Sequence, residues 1–350
     1  MDSISRKTPQ QEVTNIFNSY IAACSIGAAW EVGLLDEVRN NKSVNIDDFA
    51  SRHNLDKRST RGLVTALATA GILENQDNTA TPGRLLEDAY SSRSLFHWLS
   101  LGSGNLFSRM QYVLRNENRR DLRDTRDSAA IAYACRGANE QYIDKVFLNA
   151  ISTSGCAFNS VLDLGSGSGE RLMQVLERYP NCTAIGVDIA GPAIEVARAE
   201  AARRGYNGRI TFTEGDAREL EYRAEFAQVG IITSFLMGHD FWPRDRCIRS
   251  LQMLRKAFPK VQRFFLCDTV RILLDKAKTR HAVTEDDVPI FTLGFEFGHA
   301  LMGVTLPTVE DWEGVFEVSG WRCVKQHHMT PPSLTVLFEL EPVRDEPLGQ

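Results

Sequence analysis

Residues 161–170 read VLDLGSGSGE. Apolar residues run into Asp163, glycines follow at 165, 167 and 169, and an amphipathic stretch, 171–178, comes next. That order predicts a strand, a tight turn and a helix start. Glycine permits a positive φ and a close approach of backbone to ligand, and the N–H groups of the helix start face that ligand. A dinucleotide fold wants G-x-G-x-x-G, with its third glycine at 170, where Glu170 stands. The spacing here is D-x-G-x-G-x-G. Alone, such a turn reads equally well as a ligand loop or as a plain tight turn.

The next forty or so residues add two signals in step with it. The apolar strand 183–188 (TAIGVD) ends in Asp188, where a carboxylate can take two ribose hydroxyls. Each such charge-assisted bond is worth roughly 1.5–3 kcal/mol. A helix at 190–204 and a third strand at 210–213 follow, closing on Gly215, Asp216 and Ala217. Either acid alone reads as ordinary turn chemistry; three strand-end signals in register favour a cofactor site. The pattern resembles the first motif of the S-adenosylmethionine (SAM) methyltransferases. By that resemblance the third glycine leaves room for the amino acid part of SAM, and Asp216 meets the adenine amino group. The implied cofactor-binding residues are Asp163, Gly165, Ser166, Gly167, Gly169, Asp188, Ile189, Asp216, Ala217 and Phe235.

The chain has 350 residues, 43% hydrophobic and 24% charged, which allows one large domain or two ordinary ones with a sizeable core. A net charge of −5 gives no general attraction to nucleic acid or an anionic membrane. Seven scattered cysteines without a C-x-x-C pair fit free thiols in a reducing compartment. MDSISRKTPQ lacks the apolar core of a signal peptide, and no long uncharged apolar run suggests a membrane span. A cytoplasmic protein is expected.

Three regions are expected: a winged-helix-like dimerisation domain at 1–90, a helical linker and pocket lid at 91–150, and a Rossmann-like catalytic domain at 151–350. Residues 11–37 read as one helix, followed by a helix-turn-helix (46–53, 54–56, 57–70) and a polar wing at 75–82. A DNA-binding regulator is the rival from another class, with Lys57, Arg58 and Arg61 on a recognition helix. No wider basic surface accompanies them, so dimerisation is preferred. Residues 127–150 read as one long helix, and 119–126 as an exposed charged loop. After the three strands come a fourth at 228–235, a helix at 245–258 and a fifth strand at 263–268. A surface insertion at 275–287, a helix at 309–319 and strands at 322–327 and 334–340 complete the chain. Alternating strand and helix ending in a hairpin predicts an α/β, seven-stranded, doubly wound sheet with one antiparallel strand, as in class I methyltransferases.

In such a sheet ligands lie beyond the carboxyl ends of the strands. His239, in FLMGHDFWPRD, and His299, in FTLGFEFGHALMG, both fall there. A lone histidine is more often a satisfied core or surface residue, and His53, His97, His281, His327 and His328 are left so. The run containing His239 is similar to the region of small-molecule O-methyltransferases in which a histidine followed by Asp deprotonates a hydroxyl. A second histidine suggests a metal instead. Two imidazoles are an incomplete ligand set, which a bidentate 2-keto acid completes; Asp240 or Glu296 offers a third protein ligand or an orienting group.

The chain further resembles the metal-dependent 2-keto acid C-methyltransferases of peptide-antibiotic precursor pathways, whose members methylate phenylpyruvate or a guanidino keto acid. The resemblance spans nearly the whole chain and includes IFNS (16–19), SIGAAWEVG (25–33), RSLFHWL (93–99), RDSAAIAYACR (126–136), VLDLGSGSGER, GVDIA, MGHDFWPR, FTLGFEFGH and GWRCVK. It implies that His239 and His299 bind one iron or zinc ion, that Arg126 helps hold the keto acid, and that Asp240 supports metal-bound water. Trp98, Ser103, Met237, Phe291 and Glu296 belong to the implied substrate pocket. The chain departs from the pattern at Leu236, where the phenylpyruvate-methylating member has methionine, and its charged segment 275–287 is longer. The implied reaction makes the 3-carbon nucleophilic by enolising a metal-chelated 2-keto acid, then transfers the methyl in line. Alignment alone removes roughly 7–11 kcal/mol of barrier. The product is a 3-methyl-2-keto acid, precursor of a non-proteinogenic amino acid. A homodimer acting on a small molecule, with neither nucleic acid nor membrane as partner, completes the expectation; the rival within the enzyme class is a metal-free O-methyltransferase with His239 as base.

Overall fold

The computed structural model describes residues 8–119, 126–272, 280–281, 283, 287–329 and 334–343. The expected insertion at 275–287 and the charged loop at 119–126 lie largely outside them. The chain divides into two compact units, Met1–Gln141 and Tyr142–Gln350.

In the first unit, the helix expected over 11–37 is two helices, Pro9–Glu31 and Leu34–Asn41. Between them Gly33 has φ 81°, which a right-handed helix cannot hold and which glycine adopts without a Cβ penalty. The first helix starts at a capping box, in which Thr8 and Gln11 satisfy each other's backbone N–H. Strand β1 (Val44–Asn45) leads into helices Ile46–Arg52 and Lys57–Thr69, capped by Asn45 and Asp56. The hairpin β2 (Leu73–Gln76) and β3 (Thr79–Pro82) follows, with β3 antiparallel between β1 and β2. Its turn places Asp77 and Asn78 at positive φ, as short polar side chains allow. Leu34, Leu35, Val38, Phe49, Val64 and Leu67 form the core beneath. Arg61, one of the three basic residues on the second helix, is paired with Asp47. The long helix expected over 127–150 is interrupted: Ser128–Ala138 and Asp144–Thr153 flank a widened turn at Asn139–Ile143.

The second unit is a seven-stranded sheet. Strands β4 (Ser160–Leu164), β5 (Thr183–Asp188), β6 (Ile210–Glu214), β7 (Ile231–Phe235), β8 (Arg263–Thr269), β9 (Trp321–Met329) and β10 (Thr335–Pro342) stand in the order β6-β5-β4-β7-β8-β10-β9. The first five pair in parallel, and β10 runs antiparallel to both β8 and β9. Strand side chains alternate between faces. Val161, Ile231, Phe265 and Cys267 enter one core with helices Asp144–Thr153, Glu170–Arg178 and Gly191–Arg203; Leu162, Ile232, Phe264 and Leu266 enter the other with helices Arg244–Ala257 and Val309–Ser319. This is the doubly wound class I architecture expected.

At Gly169 (φ 74°), a Cβ would sit 2.6 Å from the Phe212 ring. The room expected there for a ligand is occupied by helix-to-strand packing. Gly169→Ala should therefore destabilise the second unit by about 2–4 kcal/mol, combining left-handed strain with overpacking. Urea unfolding checks this, and Phe212→Ala in the same chain should recover the clash but not the backbone strain.

Candidate active site

Five strand ends set out the site along one edge of the parallel sheet. The turn after β4 carries Gly165 (φ 71°) and Gly167 (φ 49°), and no atom would meet a Cβ at Gly167 within 4 Å. The backbone there is open to close approach. Asp188 at the end of β5 accepts the Gly167 N–H at 2.9 Å through Oδ2 and the Ala190 N–H at 2.9 Å through Oδ1. One carboxylate therefore fixes both the turn and its own position, with further lone pairs on each oxygen for vicinal hydroxyls. Ile189, 61% exposed, presents an apolar surface beside it. Beyond β6, Asp216 is engaged by Arg218 at 2.8 and 2.5 Å, and this guanidinium lowers its pKa. Adenine recognition at Asp216 therefore competes with an existing ion pair. Ala217 and Ser166 are buried.

Asp163 lies inside the sheet end, accepting the Thr233 hydroxyl at 2.6 Å. Burial raises its pKa to about 6, opposed by Arg171. Arg171 is itself buried, paired with Asp144 at 3.0 Å and stacked 3.4 Å from the Phe235 ring centroid. Phe235 is thus held by packing beneath the glycine turn's helix.

The loop after β7 brings in the chemistry. His239 is buried on the short helix Gly238–Phe241, and its Nδ1 lies 2.9 Å from Asp268 Oδ1 on β8. His299 is buried on the helix Thr292–Leu301, where its Nδ1 donates to the Phe295 carbonyl at 2.7 Å. Both rings thus present Nδ1 to an acceptor, which places the lone pair of the neutral ring on Nε2. The ring centroids are 4.8 Å apart at 79°. An imidazole nitrogen sits about 2.1 Å from its metal, so two rings sharing an ion have centroids roughly 4.5–5.2 Å apart at bond angles of about 90–110°. The pair fits one ion. Among the described residues no three His, Cys, Asp or Glu side chains gather as a metal site. Glu296 does not complete one: its Oε1 accepts the Ile272 N–H at 2.7 Å. Asp240 faces Arg218, whose pKa its charge helps raise, and its carbonyl accepts from Arg246.

Around the imidazoles lie apolar groups. Phe295 stacks 4.1 Å from His299 and meets the His239 ring edge-on, and Phe291 packs 5.1 Å from Phe295. Met237 touches the glycine turn, 3.3 Å from where a Cβ on Gly165 would stand. Leu236 (φ 54°) and Phe291 (φ 77°) hold a backbone conformation that bulky side chains rarely adopt, at a cost of about 1–3 kcal/mol each. Such strain gathers where a site needs a side chain aimed against its preference.

His239, His299, Met237, Phe291 and Glu296 all belong to the second unit, whereas Arg126, Trp98 and Ser103 belong to the first. Within that unit Trp98 and Ser103 are buried, the Ser103 hydroxyl without a partner among the described residues, and the Arg126 charge reaches Cys135. His97 is buried beside Trp30 and bonded to Glu31. Asp268 was absent from the sequence reading. Its only signal there was its place as another acid ending an apolar strand, the signal that marked Asp188. At the opposite end of the strands, a cleft of about 470 Å³ is lined by Cys156, Arg263, Arg322 and Glu341. Its arginines are already paired with Glu341, so it gathers no reactive set.

The comparisons with known proteins agree with this layout. The Methyltransferase domain family matches residues 161–257. The protein named Methyltransferase ungE' from Aspergillus campestris is 55% identical over 333 residues, spanning 95% of this chain and 97% of that one. O-methyltransferase sirM of Leptosphaeria maculans is 27% identical over 191 residues, 53% of this chain and 42% of its own. Human N-acetylserotonin methyltransferase in complex with SAM shares the fold, with a TM-score of 0.70 at 15% identity, covering 97% of this chain and 99% of that one.

Burial of Asp163 has a measurable consequence. Its folded-state pKa lies above the unfolded value of 3.8, so protonation favours the fold: that stability is complete below about 3.8 and lost as pH rises through about 6. Asp163→Asn should therefore gain on the wild-type chain by up to about 3 kcal/mol between pH 4 and 7 in cofactor-free urea unfolding. Parallel pH profiles would refute the buried charge.

Proposed function

The chain belongs to the SAM-dependent methyltransferases, and on that premise we propose that it methylates the 3-carbon of a 2-keto acid with the help of one metal ion held by His239 and His299. The observation that carries this reading is the 4.8 Å separation of two buried imidazoles beyond the β7 end, both with Nδ1 on an acceptor. A lone general base needs no second histidine. Iron and zinc both suit such ligands.

When bound, the ion supplies Lewis-acid withdrawal of charge from the keto and carboxylate oxygens, which acidifies the 3-proton. SAM supplies an electrophilic methyl on sulfur. The chain's own residues position and shield. The Gly165 and Gly167 backbone and the Asp188 carboxylate hold the cofactor, Asp163 offers its amino group a negative partner, and Ile189 covers the adenine. Met237 bridges the glycine turn and the imidazoles. Phe291 and Phe295 keep water from the carbon that must act as nucleophile. Arg126, on the first unit, is assigned to the substrate carboxylate, with Trp98 and Ser103 beside the substrate. The new carbon–carbon bond forms as the carbon–sulfur bond breaks, the 3-proton leaves, and the products are S-adenosylhomocysteine and a 3-methyl-2-keto acid.

One observation favours a second reading. A carboxylate behind His239 is also the arrangement of a general base with its orienting acid, so metal-free O-methylation of a hydroxyl is the alternative. The two separate cleanly. With a panel of 2-keto acids and hydroxylated compounds, product mass and methyl position should show C3-methylation that metal stripping abolishes and iron or zinc restores. His299→Ala should lower turnover at least 100-fold while SAM affinity stays within about twofold, because the ion's second ligand is lost. Full activity in verified metal-free protein, or in His299→Ala, would sink the metal reading and leave the O-methylating one.

The reading includes a homodimer formed through the winged-helix-like first unit. On helix Pro9–Glu31, Val13, Ile16, Phe17, Tyr20 and Ile21 are exposed at a spacing that lines one face. Light scattering should report twice the chain mass for the wild type and the single-chain mass for Phe17→Asp with Tyr20→Asp.

A further inference from the structure

Asp268 has no exposed surface, yet it carries a carboxylate in the middle of an apolar sheet. It lies on β8 with Phe264 and Leu266, on the face that packs against Trp312 and Phe338. Burying an ion there costs several kcal/mol unless its lone pairs are met. They are met by two donors: the Thr269 N–H, 2.9 Å from Oδ1, and His239 Nδ1, at 2.9 and 3.2 Å from the two oxygens. Burial and then this negative charge push up the Cys247 thiol. A third feature shows the fit: a Cβ at Gly238 would stand 2.9 Å from Asp268 Oδ2 and 3.1 Å from Leu266 and Trp312. Only a residue without a side chain lets the His239 loop settle onto this carboxylate.

We propose that Asp268 is the positioning residue of the site: it takes the Nδ1 proton of His239 as a hydrogen bond, so that this imidazole keeps its lone pair on Nε2 and one orientation opposite His299. The inference rests on His239 being the working imidazole, and it holds whether that ring binds an ion or removes a proton, since both tasks use the same lone pair. Asp240, the neighbour in sequence, does not fill this place, because its charge is directed to Arg218. The His299 ring has its own anchor in the Phe295 carbonyl, one turn back on the same helix. The two rings are thus fixed from opposite sides, one by a charged group on the sheet and one by a main-chain group.

The test reads the tautomer directly. Nitrogen-15 spectra of histidine-labelled protein at pH 8, with His239 assigned by its loss in His239→Gln, should show the proton on Nδ1 in the wild type. They should show a mixture of tautomers in Asp268→Asn. The same variant, with thermal unfolding and SAM affinity near wild type, should retain iron or zinc roughly 10–100-fold less tightly on dialysis. A wild-type His239 protonated on Nε2, or an Asp268→Asn spectrum unchanged from wild type, overturns the proposal. Should Asp268→Asn fail to fold, the wild-type spectrum still decides. Wild-type protein that binds no ion but holds its His239 proton on Nδ1 supports Asp268 in this role and defeats the metal reading alone.

Discussion

The contact between the Asp268 carboxylate and His239 Nδ1 joins two strands that are adjacent in the sheet but far apart in sequence. A buried carboxylate tolerates neither an empty neighbour nor a loose one, so the loop between β7 and its following helix has one place to go. That loop carries Leu236, Met237, Gly238 and His239. Once it is fixed, Met237 lies against the glycine turn, and the His239 ring faces His299. Cofactor turn and reacting centre are therefore tied through a single short segment, and displacing Asp268 should be felt at both.

Strain has a place in the same segment. Leu236 and Phe291 flank the imidazole pair in sequence, and both hold positive φ against the preference of large side chains. Leu236 is secured by its N–H bond to the Cys267 carbonyl, next to Asp268. Its side chain packs against the core that holds Phe147 and Phe265. The packed sheet over-determines a conformation that the residue itself resists, and the energy stored there serves to aim Met237 and His239. Phe291 stands at the start of the His299 helix in the same condition, so both histidine-bearing elements begin at a backbone bend stabilised only by tertiary packing.

Cofactor and reacting groups also differ in how they are bound to the sheet. Asp188 and the glycine turn are neighbours through adjacent parallel strands, joined by one backbone-to-carboxylate bond. Asp163 is deeper and buried, balanced by Thr233 and Arg171, so the charge that would meet a cationic cofactor is already costly before the cofactor arrives. Such a charge gains most from a positive ligand, because the ligand replaces solvation that the fold has removed.

Several features were legible in the chain alone, because they depend on local rules. Alternating apolar runs, glycine spacing and strand-end acids placed the doubly wound sheet, the turn at 165–169 and Asp188, since strand pairing and turn chemistry act over a few residues. Helix breaks at Gly33 and at residues 139–143 escaped notice because their helical patterning continues across them; only packing and backbone geometry interrupt it. Gly169 went to the ligand in the sequence reading, while the fold uses it for Phe212, a partner more than forty residues on. Sequence resemblance named His239 and His299, but no local pattern states that their rings lie 4.8 Å apart or that Asp268, not Asp240, stands behind the first. Those are distances between separate elements. They exist only once a parallel sheet has set β7 beside β8, and a long-range crossover has brought the His299 helix back.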